Sequence, residues 1–229
     1  SRGLQIADHA AERGVGVYVA SLEMTSEQLL LRLLGQLGTR PHLASDVRSG
    51  RLTVDELDDL RAEAHRLYGK VPLYVDDTPV QSIDYIRASV LRALQAHPDI
   101  GLVVIDYLQL IVGRSGGESR RLEVEHSSRV LKNLAKEIDR PVLALAQLNR
   151  VCDQQGRRPK MSDLREAGGI EQDADTIILL HRLESGITEM VVDKQRYGET
   201  GVVLADWDGS RTLFYDLSLE REIAHNNKG

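Results

Sequence analysis

Three polar residues stand at or just beyond the ends of apolar, β-rich runs. Glu23 follows the run 15–21, Asp106 ends the run 101–106, and Gln147 ends the run 141–147. In an open parallel sheet, ligands bind outside the carboxyl ends of the strands. We therefore expect Glu23, Asp106 and Gln147 to meet at one edge of a sheet and to share a site.

The residue types at this edge suit the chemistry of a nucleoside triphosphate. Asp106 could hold a magnesium ion, since Mg²⁺ keeps much of its water and needs few carboxylates. Glu23 could orient and deprotonate an attacking water, and Gln147 could detect a γ-phosphate because an amide both donates and accepts hydrogen bonds. A lone acid at a strand end is also a common helix cap or turn former, and Asp76 and Asp77, which precede a Thr-Pro pair, fit a plain turn better.

A phosphate-binding loop would complete such a site. The sequence contains no G-x-x-x-x-G-K-[ST] stretch, the glycine-rich turn whose amides and lysine cradle phosphates. Its first segment, SRGLQIADHAAERG, has a helical pattern with Ile6, Ala7, Ala10 and Ala11 on or near one face. This pattern resembles the helix that would follow a phosphate loop.

The elements that must position these residues alternate between strands and helices. Runs at 15–21, 71–76, 101–106, 141–147 and 175–181 predict parallel strands, with crossover helices between them. Thr25 with Gln28 and Thr53 with Glu56 have the spacing of capping boxes, and 121–138 has the period of an amphipathic helix. Short runs at 187–193, 202–207 and 212–215, parted by turn signals, predict a late antiparallel meander on the edge of the sheet.

Composition limits the classes of function. A formal net charge of −6 argues against a surface that coats nucleic acid non-specifically, and 4% aromatic residues argue against base stacking as the main binding device. The single cysteine, Cys152, excludes an internal disulfide framework and is interpreted as an inert thiol in a reducing compartment. We expect a cytoplasmic protein with no membrane association, because no apolar run approaches the roughly 18 residues of a membrane span.

Six segments together resemble the C-terminal motor domain of DnaB-type replicative helicases, a hexameric branch of the RecA-like ATPases. They occur in the family's order between residues 21 and 201: SLEMTSEQLLLRLL, PLYVDDTP, GLVVIDYLQL, LKNLAKEIDRPVLALAQLNR, SDLREAGGIEQDAD and DKQRYGETG. The resemblance implies an α/β fold: a RecA-like, mostly parallel sheet flanked by helices, with a late antiparallel β meander. It also implies ATP and Mg²⁺ as cofactors.

The resemblance assigns a role to each candidate catalytic residue. Glu23 would be the catalytic base, Asp106 the magnesium ligand that also contacts ATP, and Gln147 the γ-phosphate sensor. Lys194 and Arg196 would form a basic finger that completes the ATP site of a neighbouring subunit in a ring, where cations stabilise the transition state. The other interpretation of Lys194 and Arg196 is a solvated basic strand end.

A second motif concerns nucleic acid. The stretch RRPKMSDLREAGGIEQDAD places Arg157, Arg158 and Lys160 before a Gly-Gly pair, so the acidic balance is reversed locally. By resemblance, this is the loop that tracks single-stranded DNA in the central channel, with Arg165, Glu166 and Gly168 on the DNA backbone. A flexible surface loop is the alternative. The implied partners are single-stranded DNA, a homo-hexamer, a primase and a helicase loader, in the nucleoid-associated part of the cytoplasm.

Two departures from the family pattern concern the N-terminal side. The given sequence shows neither the family's collar domain nor its linker helix, and Ser1 falls within a residue or two of the expected phosphate-loop lysine, so we expect Ser1 to lie in the nucleotide site. We expect residues 1–217 to form a motor domain without its phosphate-loop strand, and 218–229 to be a polar tail. Three explanations of such a start are open: the chain is a fragment, its gene is split, or an intein interrupts it. A serine immediately after the junction would suit the intein.

Three functions therefore remain open from the sequence. The first is an ATP-driven replicative helicase motor that translocates on single-stranded DNA and unwinds duplex DNA, with no robust ATP hydrolysis by the short chain alone. The second is a non-hydrolysing RecA-like subunit that binds DNA or a partner ring. The third is a strand-exchange recombinase or another protein with the same core, against which LREAGGIEQDAD and DKQRYG argue by likeness.

Overall fold

The computed structural model describes residues 2–36, 43–69, 71–113, 120–149, 152, 155–164 and 168–218. Among them, the helices are α1 Arg2–Glu12, α2 Ser26–Gln36, α3 Leu43–Arg48, α4 Val54–Tyr68, α5 Ile83–Ala96, α6 Arg120–Ile138 and α7 Gly168–Asp173, with 3₁₀ turns at Leu108–Leu110 and Met161–Asp163. The strands are β1 Gly16–Ser21, β2 Leu73–Asp76, β3 Ile100–Asp106, β4 Val142–Ala144, β5 Thr176–Arg182, β6 Ile187–Gln195, β7 Gly201–Asp208 and β8 Leu213–Asp216.

The first four strands form a parallel sheet in the order β2-β1-β3-β4. Val19 of β1 lies between Val75 of β2 and Val104 of β3, and Ile105 of β3 pairs with Ala144 of β4. All six residues of β1 are buried, as expected for a parallel strand covered on both faces by crossover helices. The predicted parallel strands at 15–21, 71–76, 101–106 and 141–147 are confirmed, with β4 shorter than expected.

The last four strands form a separate antiparallel sheet in the order β5-β6-β7-β8. The predicted meander is confirmed, although among the described residues it forms its own sheet rather than an edge of the parallel one. The prediction of β5 as a further strand of the parallel sheet is wrong. In β5, Ile177 and Leu179 are buried, whereas Ile178 is 54% exposed and Leu180 is 38% exposed. Such alternation belongs to a half-buried antiparallel strand, and Leu179 pairs with Val191 of β6.

Helix α6 and the two capping-box helices follow their predictions, but α1 departs from its own: Ala7 and Ala11 are buried as expected, whereas Ile6 is 38% exposed. Thr53 and Glu56 form the predicted capping box at the start of α4, and the Thr25 hydroxyl accepts a hydrogen bond from the backbone N–H of Gln28 at 3.3 Å, with the Gln28 side chain returning to Thr25. The predicted stripe of α6 is confirmed, because its buried residues are Val124, Ser127, Ser128, Leu131 and Leu134.

Two apolar clusters cover the parallel sheet on opposite faces. One cluster packs α5 and α6 on the sheet and includes Ile177, Leu179 and Val191 of the antiparallel sheet, so both sheets share this core. The other packs α1 and α2 on β1. Within the described part of the chain, β4 and β5 are not hydrogen-bonded to each other, and α1 joins the two sheets on one side because Gln5 exchanges hydrogen bonds of 2.8 and 3.1 Å with the backbone of Phe214.

Two further features concern predictions from composition. Cys152 is a buried free cysteine whose thiol donates to the Asn149 carbonyl at 3.0 Å, which agrees with its interpretation as a structural residue. Among the described residues, no helix has the length and apolar character needed to cross a membrane.

Candidate active site

The carboxyl ends of β1, β3 and β4 meet, as predicted. Ser21, the last residue of β1, pairs with Asp106, and the N–H of Leu22 donates to the Asp106 carbonyl at 2.9 Å. On the other side of β3, the N–H of Leu108 donates to the Leu145 carbonyl at 2.9 Å, just beyond β4. The chain segments that carry Glu23, Asp106 and Gln147 are therefore neighbours at one edge of the sheet.

A tight turn between β1 and α2 presents Glu23. The Ser21 hydroxyl donates to the Met24 carbonyl at 2.6 Å, and the capping box of Thr25 starts α2 directly afterwards. Because both ends of the turn are bonded, Glu23 is held at its apex, where the side chain is exposed. A carboxylate in this position can reach a water molecule above the sheet edge.

Asp106 ends β3 half-buried, and the segment after it is tied down on both sides. The Asp106–Tyr107 peptide bond is cis. Beyond the 3₁₀ turn, the N–H of Val112 donates to the Gln81 carbonyl, and the Arg120 guanidinium donates to the Ile111 carbonyl, both at 2.9 Å. The carboxylate of Asp106 thus sits on a rigid support, as a metal-binding oxygen requires.

Gln109 is a residue that the sequence interpretation missed. Its side-chain oxygen accepts the N–H of Gln147 at 3.1 Å, and its side-chain N–H donates to the Gln147 carbonyl at 3.4 Å. Gln109 therefore fixes the main chain of Gln147, whose own side chain is exposed. The signal was its position three residues after Asp106 in GLVVIDYLQL, where an amide can pair with the neighbouring strand's backbone.

Asp76 and Asp77 have structural roles, which agrees with their interpretation as turn residues. Asp76 accepts the N–H of Thr78 at 3.1 Å. Asp77 accepts the N–H of Ser26 at 2.6 Å, and this hydrogen bond to the first residue of α2 lowers the pKa of Asp77. Asp77 thereby attaches the end of β2 to the helix that follows Glu23.

Lys194 and Arg196 lie at the end of β6, away from the edge that carries Glu23. The Lys194 ammonium donates to the Glu171 carbonyl at 2.6 Å, and Arg196 pairs with Asp175 at 2.8 Å. Asp175 also pairs with Lys132 of α6, and this hydrogen bond lowers its pKa.

The length of helix α6 gives the separation between the segment after Asp106 and the Asp175 cluster. Arg120, at its start, contacts the segment after Asp106, and Lys132 contacts Asp175. These two residues are about 18 Å apart along the axis, at about 1.5 Å per residue. Lys194 and Arg196 bond to Glu171 and Asp175, so they lie beside the Lys132 end of this interval.

Two of the arginines in the basic stretch are committed to internal ion pairs. Arg157 donates to both oxygens of Asp163, at 2.6 and 2.7 Å, and lowers the pKa of Asp163 to about 2. Arg158 pairs with the buried Glu189 of β6 and donates to it at 2.9 Å from Nε. Lys160 remains exposed. The local excess of positive charge is therefore smaller than the sequence predicted.

The residues expected at the DNA backbone are described only in part. Arg165 and Glu166 lie outside the described residues, as does Ser1. Gly168 begins α7, where a Cβ atom would lie 2.6 Å from the Glu125 carboxylate of α6; at Gly169 a Cβ atom would lie 3.0 Å from the Glu125 Cα. The two glycines let the backbone of α7 approach α6 closely.

Comparisons with known proteins give a consistent result. The family model described as DnaB-like helicase C terminal domain matches residues 2–216. The chain is 40% identical over 211 residues to the replicative DNA helicase DnaB of Geobacillus stearothermophilus, covering 87% of this chain and 46% of that protein. It is 41% identical over 212 residues to the same-named protein of Mycobacterium leprae (strain TN), covering 89% of this chain and 33% of that protein.

Solved structures agree with the sequence relatives. An ATPase domain superposes with a TM-score of 0.83 at 31% identity, covering 94% of this chain and 79% of that one. A DnaB-like replicative helicase, described together with its interactions with primase, superposes with a TM-score of 0.82 at 30% identity, covering 94% of this chain and 54% of that one. The chain spans about half or less of the length of these curated relatives.

Proposed function

Because the chain belongs to the DnaB-like helicase C-terminal domain family, we propose that it is the ATP-hydrolysing motor segment of a replicative DNA helicase. The observation that carries the proposal is the meeting of the β1, β3 and β4 carboxyl ends, which places Glu23, Asp106 and Gln147 at one edge. Relatives named as replicative helicases favour this motor over a non-hydrolysing subunit.

The donor set at this edge fits a magnesium–nucleotide complex. Mg²⁺ binds oxygen ligands, keeps several waters and is commonly held by one or two carboxylates plus substrate phosphates. Asp106 would hold the ion through its carboxylate, and the ion would neutralise charge on the transferring phosphoryl group. Glu23 would orient and deprotonate the attacking water, and the Gln147 amide would contact the γ-phosphate while Gln109 holds its backbone.

The missing phosphate loop has a place in this fold. In the described residues, β4 and β5 each leave one edge without a strand partner, although the two sheets share a core. Gly3 of α1 packs against Leu145, directly after β4. A strand that led through a phosphate loop into α1 would therefore run parallel beside β4 and join the sheets. We propose that residues 1–217 form a motor domain completed by such a strand, with 218–229 as a tail and Ser1 beside the nucleotide.

The separation of the two groups of candidate catalytic residues supports a ring. Lys194 and Arg196 lie near Lys132, about 18 Å along α6 from Arg120, and a ring in which they serve a neighbour's nucleotide accounts for that position. The intact assembly would be a homo-hexamer that draws single-stranded DNA past Arg165, Glu166 and Gly168. Primase and a loader would be its partners, in the nucleoid-associated cytoplasm.

Hydrolysis is tested by substituting Glu23→Gln in a version of the protein that carries an upstream phosphate loop. Phosphate release with single-stranded DNA should fall about 10²–10⁴-fold, the usual contribution of a general base, while nucleotide binding is retained. Glu27→Gln is the matched control, because Glu27 is an exposed acid in the first turn of α2, the helix that follows Glu23. Equal activity of the Glu23 and Glu27 variants would refute the assignment of the base.

DNA binding is tested by substituting Arg165→Ala and measuring affinity for single-stranded DNA across a range of salt concentrations. Loss of one phosphate contact should weaken binding and reduce the salt slope by about 0.7, irrespective of base sequence. Arg61→Ala is the control, since Arg61 is an exposed cation of α4 whose ion pair is with Asp58, three residues earlier in the same helix. A slope that changes equally in both variants would contradict the proposed role of the loop.

A further inference from the structure

Asp175 connects three basic side chains at the junction between the two sheets. One carboxylate oxygen accepts from the Arg196 guanidinium at 2.8 Å, and the other accepts from the Lys132 ammonium of α6. The charge of Lys194 also acts on it. A guanidinium and two ammonium groups therefore converge on the Asp175 carboxylate, in a segment that also carries Glu171 and Asp173.

The backbone brings Arg196 and Asp175 together independently of their side chains. Asp175 immediately precedes β5 and Arg196 immediately follows β6, and the N–H of Arg196 donates to the Asp175 carbonyl at 2.9 Å. The adjacent residues Thr176 and Gln195 are paired in the sheet. The main chain therefore fixes where the Arg196 side chain begins, and the Asp175 carboxylate sets the direction in which it points.

Lys132 determines the orientation of Asp175 in turn. Its side chain is only 18% exposed, and it projects from α6, whose stripe is anchored in the core. Lys132 of α6 therefore orients the Asp175 carboxylate, and the carboxylate orients the Arg196 guanidinium. Without Lys132, the carboxylate would lose the partner that keeps one of its oxygens turned toward Arg196.

The Asp175–Arg196 pair is suited to exchange partners. The side chains of Arg196 and Asp175 are 42% and 45% exposed, and exposed ion pairs are weak. The guanidinium is therefore directed but not locked. A polyphosphate carries several charges and offers bidentate oxygens, so it would compete well for Arg196, and Lys132 would remain to satisfy Asp175.

We propose that Asp175 is a positioning residue that presents Arg196 to the γ-phosphate bound by the adjacent subunit, with Lys132 holding Asp175 in place. This inference rests on the proposed function, in which Arg196 acts across a subunit boundary. Asp175 does not contact the nucleotide. Asp175 restricts the conformations of the flexible Arg196 side chain to those close to the geometry that stabilises the transition state.

The test uses the hexameric protein with an upstream phosphate loop and compares Asp175→Asn, Arg196→Ala and Glu199→Gln. Glu199 is the matched control, because it is an exposed acid three residues beyond Arg196. Asp175→Asn should lower kcat for ATP hydrolysis about ten- to hundredfold, the cost of a misplaced catalytic group, with KM within about twofold. Arg196→Ala should lower it by about 10³–10⁵-fold, and Glu199→Gln should leave it unchanged.

Subunit mixing separates a positioning role from a structural one. Asp175→Asn subunits keep Glu23, and Glu23→Gln subunits keep a correctly directed Arg196. If Asp175 serves the neighbour, a mixture of the two should hydrolyse ATP faster than the sum of the separate variants. No gain on mixing, or a kcat within twofold of the unsubstituted protein for Asp175→Asn, overturns the inference. Full activity of Arg196→Ala would instead overturn the proposed function of the finger.

Discussion

Alanine substitution at each of the two glycines that begin α7 should have different consequences, although they are adjacent. At Gly169, a Cβ atom would lie 2.8 Å from Cγ, 2.9 Å from Cβ and 3.0 Å from Cα of Glu125 in α6. The Cα atom belongs to the backbone of a packed helix and cannot turn away. At Gly168, the nearest atoms are the Glu125 Oε1 at 2.6 Å and the Arg121 Nη2 at 3.3 Å, both at the ends of flexible side chains.

The contact distances give the size of each effect. Gly169→Ala forces α7 away from α6, an overpacking cost of about 1–3 kcal/mol, while alanine returns about 0.5–1 kcal/mol of helix propensity. Subtracting the gain from the cost gives an expected net loss of roughly 0–2.5 kcal/mol in the free energy of unfolding. Gly168→Ala displaces the Glu125 carboxylate from its i,i+4 pair with Arg121, worth about 0.2–0.5 kcal/mol, so the propensity gain offsets it.

Urea unfolding of the two variants measures this difference. Gly168→Ala should keep its stability, because its methyl group meets the movable ends of the Glu125 and Arg121 side chains. Gly169→Ala should show lower stability. If Gly169→Ala is as stable as Gly168→Ala, the close approach of α7 to α6 is refuted.

Three further predictions concern stability. Burial, with the charge of Glu12, raises the pKa of Asp8 from 3.8 to about 6, so the native state binds the extra proton and the free energy of unfolding should fall as pH rises between these values. Asp8→Asn should remove this pH dependence and stabilise the protein at pH 7 by about 1–2 kcal/mol, since solvent screening lowers the upper limit of about 3 kcal/mol that the pKa shift implies. The free energy of unfolding at pH 4 and at pH 7 measures the change, and a variant with the same pH dependence as the unsubstituted protein would contradict the prediction. Thr53→Ala removes the capping box of α4 and should cost about 1 kcal/mol, which Thr53→Ser should restore in thermal unfolding. Leu134→Ala, at a fully buried position, should cost about 2–5 kcal/mol in urea, and a smaller loss than that of Thr53→Ala would argue against the α6 core.

The parallel half of the fold was predictable because its signals are local. Apolar runs ending in polar residues at Ser21 and Asp106, and capping boxes at Thr25 and Thr53, act over a few residues. The assignment of β5 failed for the opposite reason. Its apolar residues Ile177–Leu180 look like a buried parallel strand, and only the pairing with β6 shows that alternate residues face solvent.

The candidate site divides in the same way. Glu23, Asp106 and Gln147 could be selected as candidate site residues from their side-chain chemistry and their positions at strand ends, and the structure brings their segments together. Gln109 was missed, because its position after Asp106 is only a weak signal until the fold brings it into contact with Gln147, 38 residues along the sequence. Pairing of Arg157 and Arg158 with acids likewise depends on which carboxylates the fold places beside them.

By itself, the sequence determined which elements form, where the helices begin, and which side chains carry chemistry, since these depend on propensity, period and residue type. Only the tertiary structure decided the strand order, the division into two sheets, and the pairing of Arg196 with Asp175. These properties arise from contacts between residues far apart in the chain. Propensity and periodicity are local, so the sequence pattern does not specify which distant residues come into contact.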